Sequence, residues 1–248
     1  MKHKILVIGE SCKDIFNYGR CDRLCPDAPV PVFNPLRTIE SPGMAMHVLN
    51  NVKSLGVNAD IITNVNWEDV KKTRFIDEKT NQMLLRIDEN EDIVHPIDMS
   101  EIDKEKLAQY DAIIISDYCK GFLDEEKIEK ISHMHDNVFL DTKRLLGAWA
   151  ENIKYIKINY YEHARTKRLI SSAMYEKLII TLGSEGCMHR NVKYSVPPVE
   201  IKDSSGAGDT FIAALTVEFI RAGNIKDAIS FANDCATVVV QKRGVSVA

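Results

Sequence analysis

Along the chain, short continuous apolar runs alternate with segments whose apolar residues recur at helical spacing. Ile5–Ile8 closed by Gly9, Ala112–Ser116, Val138–Asp141, Tyr155–Ile158 and Lys177–Thr181 are each too short for a helix and too uniformly apolar for a half-exposed strand. Such runs predict parallel strands buried on both faces, and Asn58–Val65 reads as a further strand. Between them, Met44, Val48, Val52 and Leu55 recur at helical spacing up to Gly56, with Ser41 as N-cap and Pro42 in the first turn. Asp124 opens a helix through Met134, Ser100 with Asp103 resembles a capping box before a short helix, and Phe211–Ala222 is apolar-periodic. Ala228, Ala232, Cys235, Ala236 and Val239 form a second apolar stripe. Strands alternating with amphipathic helices predict a doubly wound, mainly parallel α/β sheet in one domain spanning 1–248.

Two stretches break the alternation. Residues 18–32 carry prolines 26, 29 and 31, which argue against a helix or central strand, and end by alternating into an edge-like strand. In 81–88, Met83, Leu85 and Ile87 alternate against Leu84, Arg86 and Asp88. Segments 18–35 and 72–95 are therefore expected to form a small β-strand lid over the strand ends. A two-stranded lid is marginal alone.

The 248 residues carry a formal net charge of −4, which suggests neither a nucleic-acid nor an anionic-membrane partner. An anionic substrate must then meet a locally basic site. No apolar stretch approaches membrane-spanning length, and the charged start before Ile5 reads as the approach to a buried strand, not a signal peptide. The six cysteines are scattered, with only Cys21 and Cys25 close together. That spacing fits no common zinc or redox motif, so reduced thiols in the cytoplasm are expected.

The candidate chemistry centres on Asp-Ser-Ser-Gly-Ala-Gly-Asp-Thr at 203–210, directly before the apolar-periodic run. Gly206, Ala207 and Gly208 leave backbone amides unobstructed at a helix N-terminus, where unsatisfied donors and the macrodipole hold anions. Asp209 puts a carboxylate into that anion site, which weakens phosphate binding unless it accepts a proton from an attacking hydroxyl. The pattern thus reads as phosphoryl transfer. The plain alternative is a capped helix, with Asp203 or Ser205 as N-cap and Asp209 favoured by the dipole.

This motif resembles the C-terminal motif of the ribokinase-like (PfkB) carbohydrate kinases, and the resemblance implies Asp209 as catalytic base and 206–208 as anion hole. Gly9-Glu10, Asp14, Tyr18-Gly19, Arg23 and Pro26–Val32, with Lys72-Thr73-Arg74 and Asn81–Asp88, resemble most closely the heptose-7-phosphate kinase module of that family. By this resemblance the acceptor is a sugar or sugar phosphate, a heptose 7-phosphate first, in surface-sugar biosynthesis. The cofactors are ATP and Mg²⁺, and lids pair across a homodimer. Another sugar as acceptor, or a catalytically silent sugar- or nucleotide-binding protein, are the alternatives. Bifunctional relatives carry a nucleotidyltransferase domain after the kinase; the sequence holds none, so that step is expected of a separate protein.

The resemblance also distributes the remaining roles. Asp14 and Gly43 would hold the sugar, with Arg74 and Lys120 as cationic contacts; Arg86 is a second choice for a substrate phosphate, and a solvated strand face remains open for both arginines. Lys143, Asn159, Thr181, Gly183, Gly186 and Asn233 would border the nucleotide. Asn159 and Glu162, three apart at a helix start, could orient waters around Mg²⁺, although a capping box explains the same pair. Two positions depart from the family's Gly-Gly-Ala-x-Asn: Met44 stands at the second glycine and His47 at the asparagine. His47 could still donate to a hydroxyl or phosphate, though a lone histidine is more often structural. After Val65 the chain lacks a unit of roughly thirty residues, of βα scale, leaving either a narrower sheet or an edge covered by a partner.

Overall fold

The computed structural model describes residues 3–248. In chain order its strands and helices are β1 (Lys4–Gly9), β2 (Ser11–Arg20), β3 (Asn34–Met44), α1 (Ala45–Ser54), β4 (Asn58–Ile62), β5 (Lys71–Asp77), β6 (Met83–Glu89) and α2 (Lys104–Leu107). There follow β7 (Ala112–Asp117), α3 (Glu125–Met134), β8 (Val138–Thr142), β9 (Tyr155–Asn159), α4 (Tyr160–Thr166), α5 (Ser172–Tyr175), β10 (Leu178–Thr181), β11 (Cys187–His189), β12 (Val192–Tyr194), α6 (Ala207–Ala222) and α7 (Ile225–Val239).

The apolar runs form an eight-stranded sheet ordered β12-β11-β10-β9-β8-β7-β1-β4, parallel from β10 to β4 and closed by an antiparallel hairpin. One apolar cluster packs Leu6, Ile8, Ile113 and Ile115 on one face. A second packs Ile5, Val7, Ala112 and Ile114 with α1, α6 and α7 on the other. Alternate residues of the same strand thus serve opposite layers, as double burial requires. The sheet ends at β4, with no strand beyond it among the described residues.

A second, four-stranded sheet has the order β3-β2-β5-β6 and is broader than the segments expected from sequence. Asp14 lies inside β2. Residues 21–33 form no strand and make only an isolated bridge between Leu24 and Pro31. The Ser41-Pro42-Gly43 segment ends β3 and does not open α1, which starts at Ala45 behind Met44, with no side-chain cap. A helix-like signature was overridden here by pairing with β2: Gly43 lies opposite Cys12 and Ser41 opposite Asp14. The pair Ser100/Asp103 is not a box; Asp98 caps the turn at 99–101 and Asp103 caps α2.

Register divides the small sheet into two faces. Asp14 lies opposite Lys72, and Phe16 opposite Arg74, on one face. The other carries Ile15 beside Thr73 and Ile87, and Phe75 beside Leu85. Leu85 and Ile87 are 54% and 41% exposed, so this face presents apolar side chains to solvent. No helix of the described chain is long and apolar enough to cross a membrane.

Candidate active site

The loop before α6 turns through Gly206 at φ +78°. Neither Asp203 nor Ser205 caps the helix: the N-cap is Gly206, with no side-chain cap bond. Asp203 instead fixes the loop, accepting from the Ser205 amide at 2.8 Å and the Gly244 amide at 3.2 Å. The α6 N-terminus is therefore left open to a cleft of about 900 Å³ that Gly206, Ala207, Gly208 and Asp209 line. Glycine is demanded at Gly206 by its left-handed turn and by the His47 ring, whereas Gly208 faces only the end of a lysine side chain. A Cβ on Gly206 would lie 2.5 Å from His47 Nε2, and one on Gly208 would lie 2.7 Å from Lys157 Nζ.

Asp209, in the first turn of α6, is 4% exposed. Burial pushes its carboxyl up to about 7; the Tyr118 hydrogen bond pulls the other way, Asp141 adds to the rise, and Lys157 and Lys143 oppose it. Tyr118 donates its hydroxyl to Asp209 Oδ1 at 2.7 Å. A carboxylate so poised takes up a proton near neutral pH, as a general base requires.

Around it, the strand ends supply alternating charge. Lys157 on β9 pairs with Asp141 on β8 at 2.7 Å, both side chains 4% exposed. Asp141 Oδ1 is buried without a hydrogen-bond partner. Lys143 pairs with Glu162 at 2.7 Å. Asn159 and Glu162 form a reciprocal capping box at α4: Asn159 Oδ1 accepts from the Glu162 amide at 2.9 Å, and Glu162 Oε2 from the Asn159 amide at 2.7 Å. Thr181, Gly183, Gly186 and Asn233 line the same cleft. Gly186 turns at φ +88°, and a Cβ there would lie 2.0 Å from the Tyr194 carbonyl oxygen. Asn233, buried on α7, donates to that carbonyl at 2.9 Å.

Asp14, Gly43, His47, Arg74 and Lys120 do not line this cleft. Asp14 accepts from Arg74 Nη1, and a Cβ on Gly43 would lie 2.1 Å from Asp14 Oδ2, so glycine makes room for that carboxylate. Burial pushes the Cys12 thiol up; Asp14 and Asp209 add to the rise, and Lys72 and Arg74 oppose it. His47 is apart from this group. It is 2% exposed, and its ring lies against Gly206 with Asn51 Nδ2 3.1 Å from Nε2. Burial pushes it down to about 4, so the imidazole is neutral. Arg86 pairs with Asp88 on the surface.

Sequence reasoning did not single out Tyr118, Asp141, Lys157 or Glu10 as site residues. Glu10 accepts from the backbone amides of Tyr118 and Lys120 at 2.9 Å each, and so shapes the loop carrying both. The available signals were a lysine in an otherwise apolar strand, at 157, and a carboxylate directly after a buried strand, at 10.

The family model for the pfkB family carbohydrate kinases matches residues 44–248. The bifunctional protein HldE of Helicobacter pylori (strain HPAG1) is 30% identical over 299 aligned positions, covering 99% of this chain and 64% of that protein. The chain thus spans less than two thirds of the length of this relative. Among solved structures, a putative ribokinase from Agrobacterium tumefaciens superposes with a TM-score of 0.76 at 14% identity, covering 98% of this chain and 93% of the other. A ribokinase from Arabidopsis thaliana, complexed with ribose and ATP, superposes with a TM-score of 0.70 at 14% identity, covering 98% and 94%. The fold is ribokinase-like, and the chain belongs to the pfkB family of carbohydrate kinases, phosphotransferases with an alcohol group as acceptor.

Proposed function

We propose that the chain, as a single catalytic domain, transfers the γ-phosphoryl group of ATP to a hydroxyl of a sugar phosphate, a heptose 7-phosphate. The observation that carries the kinase reading is Asp209: a buried carboxyl with its pKa pushed up to about 7, beside an open helix N-terminus that begins at a left-handed glycine. The acceptor is inferred from the motif blocks at 9–32 and 72–88, and from the similarity to HldE that runs through 99% of the chain.

The residues fit a nucleoside triphosphate with a hydrated cation. Gly183, Gly186, Gly206 and Gly208 keep Cβ atoms out of the cleft, and Lys143 and Lys157 line it. Asn159 lines the cleft, whereas Glu162 does not and spends both carboxylate oxygens on the Asn159 amide and Lys143, so the pair would meet Mg²⁺ only through its waters. When bound, ATP with Mg²⁺ supplies the transferable phosphoryl group. Asp209 accepts the proton of the attacking hydroxyl, and the amides of Gly206 and Gly208 face the charge that develops, while the Ala207 amide donates to the Ser204 carbonyl at 3.3 Å. Tyr118 orients the Asp209 carboxylate. Asp14, kept in place by Arg74 and given room by Gly43, orients acceptor hydroxyls, while His47 braces the loop at Gly206.

The small sheet is the lid, and its apolar face pairs two copies into a cytoplasmic homodimer. Leu85→Glu on that face is expected to halve the mass seen in sedimentation; a wild-type protein that is already monomeric would refute the pairing.

The functional test is ATP-to-ADP turnover with Mg²⁺ across sugars and sugar phosphates, with Asp209→Asn as control. Turnover with a heptose 7-phosphate, lost in the variant, is expected. Equal turnover in the variant overturns the base, and turnover only with an unphosphorylated sugar overturns the acceptor.

A further inference from the structure

Three cationic side chains, Lys72, Arg74 and Lys120, meet where the small sheet faces the end of β7. Arg74 is committed to Asp14. Lys72 and Lys120 converge on one group, the Glu91 carboxylate, which bonds Lys72 through Oε1 and Lys120 through Oε2. Exposure of these side chains rises from 11% at Lys72 through 21% at Glu91 to 31% at Lys120, so the cluster opens toward solvent on the Lys120 side. One carboxylate between two ammonium groups leaves the pair with excess positive charge. Its two oxygens bridge the lysines as two oxygens of a phosphate would.

Glu91 is also unlike the other anions at the site. Asp14 and Asp209 stand on a strand and in a helix, whereas Glu91 stands on a single turn of 3₁₀-helix after Asn90, a left-handed residue at φ +61°. That turn is anchored by side chains, Asn90 to the Asp69 carbonyl and Asn66 to the Ile93 carbonyl, both 2.8–2.9 Å. Rotation about its own side-chain bonds is enough to take the Glu91 carboxylate out from between the lysines. Burial works against its charge, but the Lys120 and Lys72 hydrogen bonds outweigh this and hold its carboxyl below the usual range, so it is anionic at neutral pH.

We propose that Lys72 and Lys120 form a seat for the anionic group that the acceptor already carries, and that Glu91 is a built-in counter-anion which that group displaces. This deepens the reading of the acceptor as a sugar phosphate, and rests on it. Until an anion enters, Glu91 neutralises the lysines and raises the apparent dissociation constant of any competitor by the reciprocal of the fraction of time the seat is free. The seat thereby discriminates. A dianionic phosphate gains two charge-assisted contacts and can evict Glu91, while a neutral sugar cannot.

The test is binding of inorganic phosphate by calorimetry, with the nucleotide cleft saturated by a non-hydrolysable ATP analogue. Glu91→Gln, nearly isosteric and uncharged, is expected to tighten phosphate binding by about tenfold. Lys72→Gln and Lys120→Gln should each abolish it. Phosphate binding that weakens or stays unchanged in Glu91→Gln overturns the counter-anion, and binding that survives both lysine variants overturns the seat. If Glu91→Gln does not fold, the lysine variants decide alone. In the turnover assay, Glu91→Gln should lower KM for a sugar phosphate relative to KM for the unphosphorylated sugar. Sugar-phosphate turnover with an unmoved KM ratio would refute the counter-anion while leaving the kinase reading intact. Tightened phosphate binding without sugar-phosphate turnover would refute the acceptor while leaving the seat.

Discussion

The cleft side and the proposed acceptor side of this site are built differently. On the cleft side, Asp141, Lys143, Lys157 and Asn159 project from adjacent parallel strand ends, and Asp209 sits in a sixteen-residue helix packed on the sheet. On the acceptor side, Asp14, Lys72 and Arg74 stand on a thin sheet whose opposite face is open. The first arrangement is rigid through burial of its scaffold. The second holds its geometry through ion pairs and through backbone that forbids side chains, as at Gly43. Fixed electrostatics belong on the rigid side, since preorganised groups gain most where they need not move. A surface that must admit different parts of an acceptor belongs on the other.

The largest break comes from Asp209→Asn. Loss of a general base costs about 10²–10⁴ in rate, with binding of an ATP analogue retained because the cradle is unchanged. Stability should move oppositely. The folded carboxyl titrates near 7, above its unfolded value of 3.8, so the folded state binds the proton more tightly. Wild-type stability therefore falls as pH rises from about 4 to 7 and stays lower above, a cost of order 4 kcal/mol. Asparagine removes that cost, so thermal scans should show the variant gaining on wild type at pH 8 and not at pH 4. A variant less stable than wild type at pH 8 would show that Asp209 is held charged by partners beyond Tyr118 and the lysines.

Next in size are two glycine variants, one on each side. Gly43→Ala drives a methyl into Asp14, and losing a charged hydrogen bond costs about 1.5–3 kcal/mol, roughly ten- to a hundredfold in acceptor KM. Gly186→Ala strains a left-handed turn against the Tyr194 carbonyl and should raise KM for ATP instead. If either variant moves both constants alike, the two halves are one mechanical unit and the contrast fails.

What could be read from the sequence follows the same division. The buried strands, α6, α7 and the capping box at Asn159 and Glu162 are local patterns, and they stand where spacing put them. The contacts that complete the site join residues far apart in the chain: Tyr118 meets Asp209 across 91 positions, and Arg74 meets Asp14 across 60. No local pattern encodes these. The 41–43 segment is instructive, because a serine and a proline that read as a helix start are used to end a strand. Pairing with β2 decided the outcome: a local helix-start signature is a weak prior that tertiary context overrides.

A smaller effect tests the coupling between base and strand end. The Tyr118 hydrogen bond lowers the Asp209 pKa, so Tyr118→Phe should raise it further. The acid limb of kcat/KM, expected near pH 7 in wild type, should then move to higher pH by about 0.5–1 unit, the equivalent of one hydrogen bond. A limb that stays put would mean that Tyr118 only fills space.

The smallest effect is the most specific to the acceptor side. Met44 adopts φ +58° and ψ −129°, a region that L-residues rarely enter, at a strain of about 1–3 kcal/mol. It is 4% exposed and packs with Leu6, Ile8 and Cys12 in one core cluster, so burial of the side chain offsets the strain of its backbone. At an ordinary position, glycine is less stable than alanine by about 0.5–1 kcal/mol. Here the order should reverse. Met44→Ala loses the packing and keeps the strain, whereas Met44→Gly loses the packing and relieves it, so denaturant midpoints should rank glycine above alanine and both below wild type. The usual order would mean that the turn after Gly43 relaxes in the variants, and that Gly43 and Asp14 are positioned by the pairing of β2 with β3 alone.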